Sequence, residues 1–388
     1  MNNYIPNSIP VIAGNEKKYV TEAIRTGWIS TGNFITQFEN SVAKYCNVKY
    51  AIATGSGTAA LHIMLILAGI KKGNGVLLPN ITFAASANAI TYCNAIPIFA
   101  DVSLDDWCLC PIELNKFIEL KCSFRNSKLI IKNSGIQITA MMPVHLYGHP
   151  AKLIELRKIC QKYNIVMIED GAEALGALYR SKSIGNGSKF CGLSFNGNKI
   201  ITTGSGGMIL TNSINIANKA RYLISQSKDD PKEFIHHEVG YNYRMANINA
   251  AFGLAQMEKL EEFVSKKRQI NNYYNSFLKN YEYLSIKMES KNVRSSFWMV
   301  ILTLDKKMFK KGSLGLRNFL EANSIEARPI WQPLYRQKAY KNAFNLSKDN
   351  SEELYKYSLC LPCSVNLKKK AIEIICNKII YYCEKYYD

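Results

Sequence analysis

The sequence predicts an α/β fold with a mostly parallel central sheet, followed by a smaller C-terminal α+β domain. Short apolar runs typical of buried strands alternate with helical segments up to residue 240, and a long helical segment then interrupts this pattern. A glycine-rich turn also follows the first predicted strand directly. We therefore expect a large domain over residues 1–245, and a connecting helix with a small domain over residues 246–388.

The predicted large domain begins with an irregular arm and two helices. Its helices are predicted at residues 16–26, 34–46, 59–67, 84–92 and 151–163. Its strands are predicted at residues 50–53, 76–78, 96–102, 137–144, 165–169, 190–195 and 208–210. Because these strands are apolar along their whole length, we expect helices to cover both faces of the sheet.

The predicted small domain begins with a long helix. Residues 247–278 have helical period throughout, with apolar side chains on one face. A strand at residues 297–304 and helices at residues 314–322 and 367–387 complete it. The order of helix, strand and helix indicates an α+β arrangement.

The composition is that of a soluble globular protein. Of the 388 residues, 47% are hydrophobic and 20% are charged. The longest apolar run, residues 59–70, contains His62 and falls short of the roughly 18 residues needed to cross a bilayer. The eleven cysteines lack the paired spacing of a zinc site. With no signal peptide visible, these features predict free thiols, no metal, no membrane segment and a cytoplasmic location.

The formal net charge of +19 raises the possibility of nucleic-acid binding. However, the lysines are spread along the whole chain, and no recognised nucleic-acid-binding motif accompanies them. We therefore predict a solvated basic surface that attracts a dianionic small molecule. A basic nucleic-acid-binding protein is the alternative from another functional class, and its binding would depend steeply on salt.

A lysine between two apolar runs is the centre of the predicted site. The Asn196-Gly197 turn ends one run, Lys199 follows, and Thr-Thr-Gly-Ser-Gly-Gly leads into the next. We expect the glycines to let the chain pack closely around the amine, with Ser194 and the two threonines supplying hydroxyl groups. A solvated turn lysine is the ordinary alternative. A desolvated amine, in contrast, has the lowered pKa that Schiff-base chemistry requires.

The glycine-rich turn after the first strand predicts a phosphate site. Residues 55–60 fit G-x-G-x-x-A, the start of a dinucleotide-binding motif. That motif also requires an acidic residue about 20 positions later, whereas the next one after Glu39 is Asp101. The N–H groups at a helix start near Gly57, with the hydroxyls of Ser56 and Thr58, instead suit a single phosphate.

Several motifs, taken in order, resemble one enzyme family. The segments T-F-x-A at 82–85, D-G-A-E at 170–173, S-F-x-x-x-K-x-x-T-T-G-x-G-G at 194–207 and G-x-N-x-R-M at 240–245 are similar to those of the DegT–StrS sugar-nucleotide aminotransferases. The resemblance extends from about residue 5 to 370. It implies a fold-type I aminotransferase, a homodimer, and pyridoxal 5'-phosphate (PLP) held by Lys199 as a Schiff base, with an amino donor that is glutamate in most of the family.

The resemblance also implies roles for other cofactor-binding residues. Phe83, which alone would be read as core, would stack on the cofactor ring. Asp170, which could equally cap a following helix, would keep the pyridine nitrogen protonated. Glu173 departs from the Gln or His common in the family, and we expect it one helical turn further on, within reach of the phenolic oxygen. Asn242 and Arg244 would reach the phosphate bound by the partner subunit.

The resemblance finally implies a substrate. Residues 229–240 resemble the branch that acts on nucleotide-linked 4-keto-6-deoxy sugars, and we expect a UDP-linked N-acetylhexosamine derivative. Arg328 would pair with the diphosphate, with Trp331 and Ser30 as further substrate contacts. His145 is read as a core histidine. Amination at C3 is an alternative, as is a PLP-dependent dehydratase, although dehydratases of this family have histidine where this chain has Lys199.

Overall fold

The computed structural model describes residues 4–230 and 232–386. Its helices are α1 (Glu16–Arg25), α2 (Asn33–Cys46), α3 (Gly57–Leu67), α4 (Ala84–Tyr92), α5 (Pro111–Lys121), α6 (Leu153–Lys162), α7 (Ile214–Ile224), α8 (Asn247–Met257), α9 (Leu260–Leu278), α10 (Leu314–Ala322), α11 (Asp349–Tyr357) and α12 (Lys369–Lys385). The helices predicted at residues 16–26, 34–46, 59–67, 84–92, 151–163 and 314–322 are therefore present. The predicted end of the last helix, Tyr387, lies outside the described residues.

The strands are short, as predicted for buried parallel strands. They are β1 (Tyr50–Thr54), β2 (Gly75–Pro79), β3 (Ile96–Ala100), β4 (Cys122–Arg125), β5 (Lys128–Ile131), β6 (Gln137–Met141), β7 (Val166–Met167), β8 (Glu169–Asp170), β9 (Leu178–Tyr179), β10 (Lys182–Ser183), β11 (Cys191–Ser194), β12 (Gly207–Thr211), β13 (Leu284–Ile286), β14 (Val293–Arg294), β15 (Val300–Leu304), β16 (Arg328–Pro329), β17 (Phe344–Asn345) and β18 (Ser358–Leu361).

The central sheet is mostly parallel, as the sequence predicts. Strands β3, β2, β6 and β7 pair in parallel in that order, and β8 pairs in parallel with β11. A parallel bridge between Val144 and Asp170 joins the two groups of strands. Strand β12 is antiparallel to both of its neighbours, β11 and β1. The carboxyl ends of β2, β6, β8 and β11 therefore meet at one edge of the sheet.

Helices cover both faces of this sheet. On one face, α3 packs against α4, α7, β11 and β12, and its Ile63 and Met64 are fully buried. On the other face, Phe38 of α2 and Phe195 pack with ring centroids 5.0 Å apart. Because side chains alternate along a strand, β1 sends Ile52 to one core and Ala51 and Ala53 to the other.

The C-terminal part has a sheet of its own. Strands β13, β15, β18 and β16 form an antiparallel sheet, against which α9 packs, with α12 lying on α9 and α10. Residues 247–278 form two helices rather than the single predicted one, because a turn at Glu258 and Lys259 separates α8 from α9. Helix α8 packs on α1 and α2. The domain boundary after residue 245 stays a prediction.

The cysteines agree with the sequence-based expectation of free thiols. All eleven cysteines are free thiols, and burial is the main cause of the raised pKa in each of the nine whose shift is resolved. No helix in the described part of the chain has the length and apolar character needed to cross a bilayer. Among these residues, no group of three or more His, Cys, Asp and Glu side chains has the arrangement of a metal site.

Candidate active site

A cavity of about 510 Å³ opens at the carboxyl edge of the central sheet. Strand ends, the start of α3 and the C-terminal part all contribute to its walls. The lining side chains include five groups predicted from the sequence to act on the cofactor, namely Thr58, Phe83, Asp170, Glu173 and Lys199. The fold thus brings together residues that are up to 141 positions apart in the sequence, counted from 58 to 199.

The start of α3 forms one end of the cavity. Ser56 caps the helix by accepting a hydrogen bond from the N–H of Ala59 at 3.1 Å, which leaves the N–H groups of Gly57 and Thr58 without helical acceptors. The second glycine-rich segment, residues 204–207, packs directly against this turn. A Cβ on Gly207 would lie only 2.4 Å from the carbonyl oxygen of Ser56, so a side chain does not fit there. The result is a small cup of N–H and hydroxyl groups suited to a phosphate.

The glycines therefore act differently from the sequence-based expectation. They pack the loop against the start of α3 rather than around the lysine amine. The two threonines also differ, because the hydroxyls of Thr202 and Thr203 donate to backbone carbonyls of the loop itself. Ser194 does line the cavity, as predicted, with its Cβ 2.8 Å from the position that a Cβ on Gly57 would take.

Lys199 lies on a turn immediately after β11, as predicted. The turn is closed by the N–H of Lys199, which donates to the carbonyl of Asn196 at 3.0 Å. The side chain is 13% exposed, with Nζ 3.9 Å from Oε1 of Glu173 and 4.0 Å from the ring centroid of Trp298. Burial lowers the pKa of the Lys199 amine, against the opposing effect of the nearby carboxylates of Glu173 and Asp170.

Glu173 faces Lys199 but is not on a helix. The predicted helix after Asp170 is wrong, since residues 171–177 form successive turns. Glu173 is held by two hydrogen bonds, accepting from the backbone N–H of Tyr147 at 2.7 Å and from Nε1 of Trp331 at 3.1 Å. Burial raises the pKa of its carboxyl group, and the Lys199 amine opposes this shift.

Asp170 points into the cavity from the end of β8. Because side chains alternate along a strand, the adjacent Glu169 points the opposite way and pairs with Arg157 at 3.1 Å. Asp170 accepts hydrogen bonds from the hydroxyl of Ser86 at 2.7 Å and from the N–H of Ala172 at 3.1 Å. With no helix following, the alternative reading of Asp170 as a helix cap is not supported.

Aromatic residues, including Phe83 and Trp331, also line the cavity. Phe83 is 53% exposed, so the reading of this residue as plain core is wrong. Its ring centroid lies 5.1 Å from that of Trp331. Phe83 and the partly buried Trp331 therefore offer aromatic surface against which a planar ring can lie.

Arg328 lines the mouth of the cavity. Its side chain is 52% exposed and is paired with Glu326, with Nη2 2.6 Å and Nε 2.7 Å from Oε1. Both contacts use the Nε and Nη2 edge of the guanidinium, which leaves the edge formed by Nη1 and Nη2 free for another partner. Sequence reasoning missed this carboxylate partner, although it lies only two positions away.

Three predicted site residues lie away from this cavity. Ser30, Asn242 and Arg244 are exposed and do not line it. Arg244 is nevertheless close to the cup, since its backbone forms an antiparallel bridge with Thr54. His145 is fully buried, accepts from the N–H of Ala151 at 3.0 Å and lies 3.5 Å from Glu169, so its reading as a core histidine is confirmed.

Sequence reasoning missed three residues that shape the site. Ser86 donates to Asp170, Tyr147 stacks 6.3 Å from Trp331, and Trp298 covers the amine of Lys199. Ser86 could have been found, because it lies three positions after Phe83, in the first turn of the predicted helix 84–92. Trp298 gave no such signal, because it lies within the predicted strand 297–304, about 100 residues from the lysine.

Comparison with known proteins decides the family. Residues 10–380 match the DegT/DnrJ/EryC1/StrS aminotransferase family. The chain belongs to this family. The predicted family, the fold-type I aminotransferase fold and the aminotransferase activity are thereby confirmed, and PLP is the cofactor.

Two curated relatives and one solved structure illustrate the match. The chain is 36% identical over 385 residues to GDP-perosamine synthase of Escherichia coli O157:H7, covering 98% of this chain and all of that protein. It is 29% identical over 370 residues to UDP-4-amino-4,6-dideoxy-N-acetyl-β-L-altrosamine transaminase of Campylobacter jejuni, covering 94% of each. The structure of Helicobacter pylori PseC, an aminotransferase of pseudoaminic acid biosynthesis, superposes with a TM-score of 0.89 at 24% identity over 99% of this chain and all of the other.

The donor set of the cavity fits PLP. The cup at the start of α3 offers N–H groups to one phosphate, the carboxylate of Asp170 is aimed into the cavity, and a desolvated amine lies across from it on Lys199. Phe83 supplies an exposed ring face. Each chemical feature of the aminotransferase's cofactor thus has a complementary group in this chain.

Proposed function

We propose that this aminotransferase moves an amino group from L-glutamate to C4 of a 4-keto-6-deoxy sugar linked to a nucleoside diphosphate. The product would be a 4-amino sugar nucleotide for surface glycan or glycoprotein biosynthesis. The names of both curated relatives support this substrate class. Each name contains a nucleotide-linked amino sugar, and one specifies a 4-amino-4,6-dideoxy sugar.

The relatives favour a different nucleotide from the sequence-based expectation. The relative at 36% identity is named for a GDP-linked sugar, and the UDP-linked one is at 29%. We therefore propose a GDP-linked 4-keto-6-deoxyhexose as the first substrate to test, with the UDP-linked N-acetylhexosamine derivative second.

The observation that carries the proposal is the placement of Lys199. When bound, PLP supplies an electron sink that stabilises the carbanion formed when a proton leaves the carbon bearing the amine. Nζ of Lys199 is desolvated and faces the same cavity as Asp170. In the proposed mechanism this amine holds the cofactor between reactions, and once released it moves the proton to or from the sugar carbon.

Other side chains of the cavity would bind the cofactor and the substrate on either side of the lysine. Asp170 would keep the pyridine nitrogen protonated, held in place by its hydrogen bonds from Ser86 and Ala172. Glu173 would face the cofactor's phenolic oxygen. At the mouth, the free edge of Arg328 would bind the diphosphate, and Trp331 would lie against the sugar nucleotide.

We also propose that the enzyme is a cytoplasmic homodimer with shared sites. The exposure of Ser30, Asn242 and Arg244 outside the cavity supports a role toward a second copy of the chain. In that arrangement Asn242 and Arg244 would serve the phosphate of the partner's cofactor, and Ser30 the partner's substrate.

The test is a substrate panel with the PLP-loaded protein and L-glutamate. GDP-linked and UDP-linked 4-keto-6-deoxy sugars, a 3-keto sugar nucleotide and free keto acids would each be offered, and amino sugars would be located by mass and NMR. We expect amination at C4 of a nucleotide-linked sugar. Efficient amination of free keto acids, with none of any nucleotide-linked keto sugar, would contradict the proposal.

A further inference from the structure

The indole ring of Trp298 covers the amine of Lys199. Nζ lies 4.0 Å from the ring centroid, inside the distance at which an ammonium group is attracted to an aromatic face. Trp298 is only 1% exposed, and its ring lines the cavity. The contact is therefore shielded from water, where such attraction is strongest.

Trp298 is also tied to the turn that carries the lysine. Its indole Nε1–H donates to the carbonyl of Asn198 at 2.7 Å, and Asn198 is the residue before Lys199. The same side chain thus contacts the lysine in two ways, through its ring face and through its N–H group. Displacement of the ring would therefore remove a hydrogen bond that holds the turn.

A left-handed residue and a buried lysine lie next to the backbone of Trp298. Phe297 has a φ of 45°, a left-handed conformation that is strained for an aromatic residue. The carbonyl of Trp298 accepts a hydrogen bond at 3.0 Å from Nζ of Lys267, which is itself 2% exposed and also lies 3.4 Å from Sγ of Cys363. Strain of this kind persists where the surrounding structure imposes it, often at functional sites.

Two more rings hold the indole in orientation. The rings of Trp298, Tyr147 and Trp331 lie 6.2–6.3 Å from one another, with interplanar angles between 15° and 25°. Trp331 also donates to Glu173, the carboxylate nearest to Lys199. The stack therefore fixes both the aromatic and the anionic neighbour of the amine.

We propose that Trp298 is a positioning residue that provides a docking place for the ammonium group of Lys199 whenever this lysine is not bonded to the cofactor. The inference rests on the proposed role of Lys199. An aminotransferase must release its lysine during each half of the reaction, and a free flexible amine would otherwise sample many rotamers. The ring face and Glu173 would keep Nζ near the reacting carbon, ready to carry a proton.

A test must separate the effect of the Trp298 ring on the Lys199 amine from the effects of the charged groups nearby. Glu173 and Asp170 both favour the charged form of Lys199, and the guanidinium group of Arg328 also lines the cavity. Trp298 adds an attraction for the charged form that involves no ionisable group. Replacing it by an aliphatic residue removes that attraction while all three charges stay.

The experiment follows the reactivity of Lys199 in protein freed of PLP. Trinitrobenzenesulfonate modifies only the uncharged amine, so the pH midpoint of modification, read by peptide mass spectrometry, reports the pKa of Lys199. The exposed Lys189 in the same digests is the internal control. In Trp298→Leu we expect the Lys199 midpoint to fall by about 0.4–1.5 units and the Lys189 midpoint to stay constant. Trp298→Phe, which keeps a ring face, should restore most of the shift.

A second set of variants preserves the fold in case the Trp298→Leu protein does not fold. Fluorinated tryptophan at position 298 weakens the negative ring face with little change of shape, and each added fluorine should lower the midpoint further. A midpoint that is unchanged or raised in Trp298→Leu, or indifferent to fluorination, would overturn the inference. Because no cofactor is present, that result would leave the proposed role of Lys199 standing. Attachment of PLP to another lysine would remove that role without changing these midpoints.

Discussion

Oε1 of Glu173 lies 3.9 Å from Nζ of Lys199, and both side chains are nearly buried. Burial raises the pKa of the Glu173 carboxyl and lowers that of the Lys199 amine, while the attraction between the two charges opposes both shifts. The pair therefore sets how readily the amine becomes uncharged, which is the form that reacts with an aldehyde.

Replacing Glu173 by Gln should make Lys199 lose its proton at lower pH. Glutamine keeps an acceptor for the N–H of Tyr147, but it loses the acceptor for Nε1 of Trp331 and removes the negative charge that supports the ammonium form. The pKa of Lys199 should fall further, and the pH midpoint for Schiff-base formation with added PLP should move down by about one unit. An unchanged midpoint in Glu173→Gln would mean that the carboxyl group is already uncharged beside the amine.

Replacing Asp170 by Asn should separate cofactor binding from turnover. The amide keeps the shape and can still accept from Ser86, but it carries no charge to keep the pyridine nitrogen protonated. We expect PLP to stay bound while kcat falls by about 10²–10³-fold. Asp106→Asn, which changes a buried carboxyl group outside this cavity, is the matched control. Near-normal kcat in Asp170→Asn would assign the role to another group.

Mixed dimers should show whether each site uses both subunits. Lys199→Ala and Arg244→Ala subunits should each be inactive alone. A hybrid dimer would have one site with both defects and one site with neither, so about half of the normal activity per hybrid should return. If native mass spectrometry shows hybrids but no activity returns, each site is built within a single chain.

Replacing Arg328 by Ala should affect one substrate more than the other. Its guanidinium lies at the cavity mouth, where the diphosphate of a sugar nucleotide would enter. We expect a rise of about 10-fold or more in KM for the sugar nucleotide, with the half-reaction with glutamate changed much less. Glu326→Gln, which frees the guanidinium from its carboxylate partner, should not raise this KM. Equal losses in both half-reactions would contradict a role in diphosphate binding.

The parts of the site that depend on strand ends could be predicted from the sequence. Asp170 and Lys199 follow apolar runs directly, and parallel strands bring their carboxyl ends to one edge. The glycine-rich turn at residues 55–58 likewise signals a helix start with free N–H groups. Local chemistry fixes these features, and the structure retains them.

Features that depend on packing could not be predicted. Glu173 lies in successive turns rather than a helix, because its carboxylate is held by Tyr147 and Trp331, which are distant in the sequence. The position of Trp298 depends on the buried amine of Lys267 and on a left-handed residue before it. No periodicity in a single sequence reports such contacts.

The most direct test of the account is to locate the bond between PLP and the protein. Borohydride reduction should fix the cofactor on the peptide that contains Lys199. In Lys199→Ala the visible absorbance of the bound Schiff base and the reducible adduct should both disappear, while Lys189→Ala, which changes an exposed lysine ten positions earlier, should keep both. Reduction of PLP onto a different lysine in the unmodified protein, or a normal reducible band in Lys199→Ala, would contradict it.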